Sequence, residues 1–420
     1  MVRRMKSALR ALALIGSTCI MIAAYVVIGG GVAANGATHA VRFTKSTVEI
    51  GAINGATGPA FPTPEQFAGE EAAVKAINAA GGAGGHQLKL VTCDQQQNGT
   101  ASAACWQKIT SNSSIVAETG ADPFDINSEN LINASGLALV GNYAITDLDF
   151  SSPLVFLESG ASGTLYVGAA DYAISHGLKN VSIMETDLPT ITPLQDGLEA
   201  VINAGGGKVQ SVVKVALTTT DMTADAAQAS LGNPQAILMI IGESQQTSAV
   251  KALRESGYTG PVIFGGDQYT NQYLQQLGVT TSGLVGVTSM DPVMVSNAAA
   301  EVKEHIAQMK KYEPKSVIDG LSLVAWAGVN LIAEAVSTMS TVTRSSLLAK
   351  LNSMNAVHTG LTPVLNFTKA GSTPGLPRVV NTYVAYIVAK GAKWTWNGKL
   401  ESVGGLPAIS GLNLGTPPQT

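Results

Sequence analysis

Val48-Glu49-Ile50-Gly51-Ala52-Ile53-Asn54, the turn Gly55-Ala56-Thr57-Gly58-Pro59, and the segment 64–80 decide the fold. The first seven residues form an apolar run bounded by a glycine-rich turn, which reads as a buried strand. Phe67, Ala68, Ala72, Val74, Ala76 and Ile77 then follow helical spacing, and Gly81-Gly82 supplies a carboxyl-terminal stop. A further apolar run at 87–93 reads as the next strand. Strand, tight turn, helix and strand in this order make a βαβ unit, whose two strands lie parallel.

The same alternation continues outward. Helices are expected at 100–110 and 127–134, with strands at 114–118 and 137–141. A second series begins at 165–176 (helix) and runs through strands at 181–184, 209–215, 236–241 and 262–264, with helices at 193–203, 221–231 and 244–256. After an apolar run at 284–287 the pattern turns mainly helical (297–311, 320–339 and 344–354), and 383–389 alternates as a late strand. The expectation is an α/β protein of two doubly wound parallel-sheet lobes. Their strand ends face one another across a cleft, where such sheets bind ligands.

The front of the chain reads as an export signal. Arg3, Arg4, Lys6 and Arg10 precede an apolar run from 11 to 28, and small residues offer cleavage after Ala34 or Ala40. Residues 1–40 are therefore a secretory signal peptide or, alternatively, an uncleaved anchor, because the run approaches the ~18 apolar residues of a spanning helix. Either way the basic flank stays inside and the body lies outside, periplasmic or at the cell surface. The whole chain has 25 basic and 29 acidic residues, a net −4; without the four basic residues of the segment, 21 against 29 leaves −8. A mildly acidic body without a basic cluster argues against a nucleic-acid partner. Beyond residue 40 no apolar stretch is expected to span a bilayer, and about 380 residues exceed one ordinary core.

Apart from Cys19, the cysteines are Cys93 and Cys105, and an even pair in an exported chain reads as a disulfide. His39, His86, His176, His305 and His358 are scattered, so neither a metal nor any other cofactor is expected. No G-x-S-x-G elbow, H-E-x-x-H helix or G-x-x-x-x-G-K loop occurs. Gly81-Gly82-Ala83-Gly84-Gly85 follows a helix, whereas a dinucleotide fingerprint precedes one. The chain reads as a binder and not an enzyme.

Several motifs together resemble the branched-chain amino-acid-binding proteins of ABC importers, which are type I periplasmic solute-binding proteins. They are 50–59; Ala76-Ile77-Asn78-Ala79-Ala80-Gly81-Gly82 with Gly85-His86-Gln87-Leu88; Cys93-Asp94 with Cys105; Asp196-Gly197-Leu198; Phe264-Gly265-Gly266-Asp267; and 320–335 with Trp326. The resemblance spans about 48 to 396. It implies a monomer of two lobes, 47–157 with 289–363 and 158–288 with 364–400, joined by a three-segment hinge and followed by a tail at 401–420. It also implies a small polar or amino-acid-like ligand, held between the lobes and delivered to an importer permease. The alternatives are a ligand sensor signalling to a membrane partner, and an exported enzyme on a similar scaffold.

By position, the cleft loops are 57–61, 119–124, 142–146, 187–191, 242–244 and 267–269. From these come the candidate ligand residues Phe61, Asp122, Tyr143, Ala144, Ile145, Thr190, Glu243, Ser244, Asp267 and Tyr269. Phe61, Tyr143 and Tyr269 are expected as aromatic walls. Where the resembling family holds a ligand carboxylate with hydroxyls, this chain has Gly120-Ala121-Asp122-Pro123; Asp122 either faces the ligand or bonds its own loop. Asp267 matches the family's acceptor for a ligand ammonium group, against the plainer role of a turn former.

Overall fold

The computed structural model describes residues 43–58, 62–372 and 376–404, without the side chains of Ala161, Thr190, Pro193 and Ser244. The expected export segment and residues 405–420 lie outside the described residues. The first lobe opens with β1 (Val48–Asn54), α1 (Pro64–Ala79), β2 (Leu88–Asp94), α2 (Gly99–Ser111), β3 (Ile115–Gly120), α3 (Glu129–Ser135), β4 (Ala138–Val140), α4 (Asp147–Ser151) and β5 (Val155–Phe156). The chain then enters the second lobe through α5 (Ala161–Ser175), β6 (Asn180–Thr186), α6 (Thr192–Ala204), β7 (Lys208–Val215), α7 (Thr223–Ser230) and β8 (Ala236–Ile240). That lobe continues with α8 (Glu243–Glu255), β9 (Val262–Gly265), α9 (Asn271–Leu277) and β10 (Leu284–Thr288). Next come α10 (Ala300–Tyr312), α11 (Gly320–Ser337) and α12 (Arg344–Asn352), and the chain closes with β11 (Tyr383–Lys390), β12 (Lys393–Trp396) and β13 (Glu401–Ser402).

Two sheets organise these elements. The first has the order β2-β1-β3-β4-β5 and is parallel throughout. The second has the order β12-β11-β10-β9-β8-β6-β7, parallel from β7 to β10. It differs from the expected parallel sheet at one edge, where β11 and β12 add as antiparallel strands and β13 pairs with β11. The segment expected as a tail thus begins with a strand. The chain crosses between lobes three times: from β5 to α5, from β10 to α10, and from α12 to β11.

Burial follows the sequence pattern. Ile50, Ala52 and Ile53 of β1 are fully buried, as are Ile237, Leu238 and Met239 of β8, because helices cover both faces of each sheet. Close approach explains two glycines. A Cβ on Gly69 of α1 would meet the Ser322 carbonyl oxygen at 2.2 Å, and one on Gly51 of β1 would meet Ile109 of α2 at 2.7 Å. The apolar length of α11 is that of a spanning helix, contrary to expectation, but 78% of it is buried against its own protein. It is a core helix, covering the first sheet beside α1. Local caps fix the helix starts: Asn98 accepts from the Thr100 and Ala101 amides at α2, and Asp319 and Ser322 form a reciprocal capping box at α11.

Cys93, on the edge strand β2, is bonded to Cys105 of α2, with Cα atoms 5.6 Å apart. The bridge pins the outermost strand of the first sheet to the helix that follows it. Thiol titration of the native, exported protein should find neither sulfur free. Replacing both cysteines by serine should lower unfolding stability by about 3 kcal/mol in the chain-entropy model, measurable by denaturant titration.

Candidate ligand-binding cleft

In both sheets a strand whose neighbours follow it through oppositely directed crossovers creates a crevice at the carboxyl ends, at β1/β3 in the first and β6/β8 in the second. The loops leaving these strands converge on two adjoining chambers. One, of about 90 Å³, is lined from the first lobe by Gly55, Thr63, Gln66, Gln95, Gln97 and Leu321. The other, of about 130 Å³, is lined from the second lobe by Tyr166, Leu188, Ile191, Ile240 and Ile241, with Ser162 and Thr186 as polar members. Pro123, Tyr143, Ile145 and Gln268 border both, so the chambers form one cleft with Tyr143 and Gln268 at its waist.

The glutamines are held by an unusual turn. Gln96 and Gln97 both adopt left-handed backbone, at φ 53°, a conformation sparsely populated by residues other than glycine. Asp94 stabilises it by accepting from the Gln96 amide at 3.0 Å and from the Thr57 hydroxyl at 2.6 Å. Within the turn Gln95 Oε1 accepts from the Gln97 amide. The side chains of Gln95 and Gln97 are thereby set into the first chamber. Their signal in the sequence is a run of three glutamines, Gln95-Gln96-Gln97, at the carboxyl end of an expected strand, which position-by-family reasoning passed over.

Tyr143 and Ile145 line both chambers, each half-buried. Ala144 between them is fully buried and points away; its carbonyl instead accepts from the Ser162 hydroxyl at 2.8 Å, a bond joining the first lobe to α5. The same alternation corrects three other expectations. Ala121 and Pro123 face the cleft, while Asp122 turns inward and accepts from Ser102 Oγ at 2.6 Å, Trp106 Nε1 at 2.8 Å and the Phe124 amide at 3.0 Å. Gln268 faces the cleft, while Tyr269 on the other side packs in the second lobe's core, its ring 5.5 Å from Trp394. Asp267 also turns inward, accepting from Ser289 Oγ at 2.7 Å and the Ser289 amide at 3.0 Å. Adjacent side chains along extended backbone leave on opposite sides, so a one-residue error exchanges a lining position for a core position. Phe61 lies outside the described residues, as do the side chains of Thr190 and Ser244; their neighbours Leu188, Ile191 and Gly242 line the second chamber.

Glu243 is half-buried and belongs to a group of carboxyls flanking the cleft. Glu65 opens α1, Glu243 opens α8, and Asp319 caps α11. Burial, then Asp319 and Glu243, push Glu65 up to about 8. Burial and Asp319 raise Glu243 to about 7. Burial raises Asp319 to about 7 against the Ser322 bonds that lower it, and burial likewise raises Asp267 to about 6 against those of Ser289. Further acids lie inside the protein, Glu118 and Glu158 among them. Glu118 of β3 accepts from Asn142 Nδ2 at 2.9 Å, and Glu158, at the first crossing, is fully buried with both oxygens unbonded. Burial lifts each to about 8.

The fold and its cleft define a two-lobed α/β binding protein. Residues 47–391 match the periplasmic binding protein family model, and the chain belongs to that family. It is similar in structure to a fatty acid ABC transporter substrate-binding protein from Thermomonospora curvata (16% identity, 85% of this chain and 92% of that one, TM-score 0.74). A solute binding protein from R. palustris in complex with benzoate (15% identity, 87% and 99%, TM-score 0.69) shares the fold. So does a branched-chain amino acid transporter substrate binding protein from Streptococcus pneumoniae in complex with isoleucine (16% identity, 85% and 99%, TM-score 0.66). No curated protein sequence matches this chain significantly. Membership of this family implies a ligand-binding role outside the cytoplasmic membrane.

Two outcomes follow from the buried acids. Asp122→Ala leaves the Trp106 and Ser102 donors buried and unpaired, so it should cost about 2–4 kcal/mol in a denaturant titration. Stability should also depend on pH in a defined direction. Unfolded carboxyls ionise near pH 4, whereas folded Glu65, Glu118 and Glu158 keep their protons to about 8. Between these limits the folded state binds more protons, so their stabilisation is full below the unfolded value and lost as pH rises through the folded one. The thermal midpoint should therefore fall from pH 5 to pH 8, and Glu158→Gln should make that decline shallower.

Proposed function

We propose that this chain is an extracytoplasmic receptor that captures a small molecule between its lobes and delivers it to an ABC importer permease. The observation that carries this reading is the convergence of both sheets' switch-point loops on one cleft. We assign the lobes as 47–157 with 289–363 and 158–288 with 364–400, so that the three crossings form the hinge. Closure about that hinge would be driven by contacts that a ligand makes with both sides at once. Such a protein returns its ligand unchanged, which separates it from an enzyme on the same scaffold.

Within this reading Tyr143 and Gln268 are the main ligand contacts, since they border both chambers and come from opposite lobes. Asp267 acts as a hinge residue and reaches the ligand only through Gln268. A thermal-shift screen of small solutes supplies the first test, because a ligand at 100 times its dissociation constant raises stability by ~2.7 kcal/mol. With a ligand so identified, Tyr143→Ala and Gln268→Ala should each weaken binding about tenfold or more, or about 1.4 kcal/mol by calorimetry, while circular dichroism stays unchanged. Unaltered affinity in both variants would remove the cleft as the binding site.

A further inference from the structure

The chemistry of the cleft wall narrows the ligand, granted that the cleft is where it binds. Among the described residues lining either chamber none is lysine, arginine or histidine, and none is aspartate or glutamate. A charged group brought into this site would lose its water and meet no counter-charge among these residues. The polar side chains that do line it are amides and hydroxyls, chiefly Gln66, Gln95 and Gln268 with Tyr143. An amide side chain both donates and accepts, and so matches a neutral head with the same two capacities.

Helix starts could still receive an anion through their free N–H groups. Here the starts of α11 and α5 already spend donors within the protein, and those of α1 and α8 carry an acid in the first turn. Proline fills the first turn of α1 and Glu65 follows it, Glu243 opens α8, and Asp319 caps α11 through the Ser322 amide. At α5 the amide and hydroxyl of Ser162 both go to the Ala144 carbonyl. Glu65, Glu243 and Asp319 stand at these helix starts behind the walls, so among the described lining residues neither a carboxylate nor an ammonium group meets a counter-charge.

The second chamber is mainly apolar. Tyr166, Leu188, Ile191, Ile240 and Ile241 line an open space of about 130 Å³, on the scale of the ~150 Å³ that admits one benzene ring. We infer that the cleft selects an uncharged, two-ended molecule: an amide- or hydroxyl-bearing head among the glutamines and a compact branched or aromatic tail in the second chamber. This departs from the zwitterionic amino acid that the sequence resemblance implies.

Two matched series test it, each keeping one tail and changing only the head. The first comprises isovaleramide, isovalerate, isoamylamine and leucine; the second comprises phenylacetamide, phenylacetate, phenethylamine and phenylalanine. Calorimetry on the intact protein at neutral pH should show, in at least one series, the amide binding about tenfold or more tighter than its three charged counterparts. Gln268→Lys should then transfer the preference to the carboxylate. A charged member that binds as tightly as the amide, with binding lost in Tyr143→Ala, overturns the inference and leaves the cleft as the site. Absence of binding by every member also overturns it. An amide preference untouched by both Gln268→Lys and Tyr143→Ala removes the cleft as the site, and the inference with it.

Discussion

The pairing of Asp267 with Ser289 holds together the place where the lobes meet. Asp267 stands just past β9, and Ser289 stands where the chain leaves β10 for the first lobe. Both donors of Ser289 go to the Asp267 carboxylate, and the Ser289 carbonyl accepts from Asn381 Nδ2 at 2.9 Å, on the third crossing. The Asp267 carbonyl accepts from the Gly320 amide at 2.8 Å, at the start of α11. A Cβ on Gly320 would lie 2.5 Å from that oxygen, so glycine is what permits the backbones to touch. One buried residue thus ties two crossings and the principal helix of the first lobe to the strand end that presents Gln268. The cleft wall and the hinge share a support, and a change at Asp267 reaches the cleft wall through geometry.

Buried acids without cationic partners recur through the molecule, and position explains them better than pairing. Glu70 of α1 bonds Asn54 of β1, and Glu118 bonds Asn142, each at 2.9 Å. In both pairs an amide from a strand end meets a carboxyl beneath the cleft floor. Burial raises both carboxyls, and a protonated carboxyl can donate where a carboxylate cannot. These pairs fix the strand ends from below, as the Asp94 turn fixes Gln95 and Gln97 from the side. At the floor these side chains pair with one another and not with the lining residues.

Much of this architecture is legible in the sequence. The strand at Val48–Asn54, the glycine stop after α1 and the long apolar helix from Gly320 all follow from periodicity and punctuation. Short elements such as α4, β5 and α9 lack enough residues to establish a period. The antiparallel strand β12, Lys393–Trp396, is fixed by pairing with β11 and not by any pattern of its own. In the cleft, the loops could be placed but not the side on which each residue leaves its loop. Tyr143 and Ile145 fell on the cleft side. Asp122, Ala144, Asp267 and Tyr269 fell on the other, where Trp106, Ser289 and Trp394 give them partners that a linear reading does not reveal.

Hinge and charge act on one another. Glu65 and Asp319 belong to the first lobe and Glu243 to the second; burial raises all three, and Asp319 adds to the rise of both Glu65 and Glu243. In the proposed closure, bringing the lobes together would concentrate like charge at their junction, an expense that grows as these groups ionise. Contacts inside the cleft must offset it, since a ligand shifts the lobes only by as much as its contacts differ between the two arrangements. A ligand anion would add to the repulsion it has to overcome. A neutral ligand adds none, and its apolar end contributes burial against Ile240 and Ile241 at no electrostatic cost. The acids that flank the cleft therefore shape what can bind there without touching it.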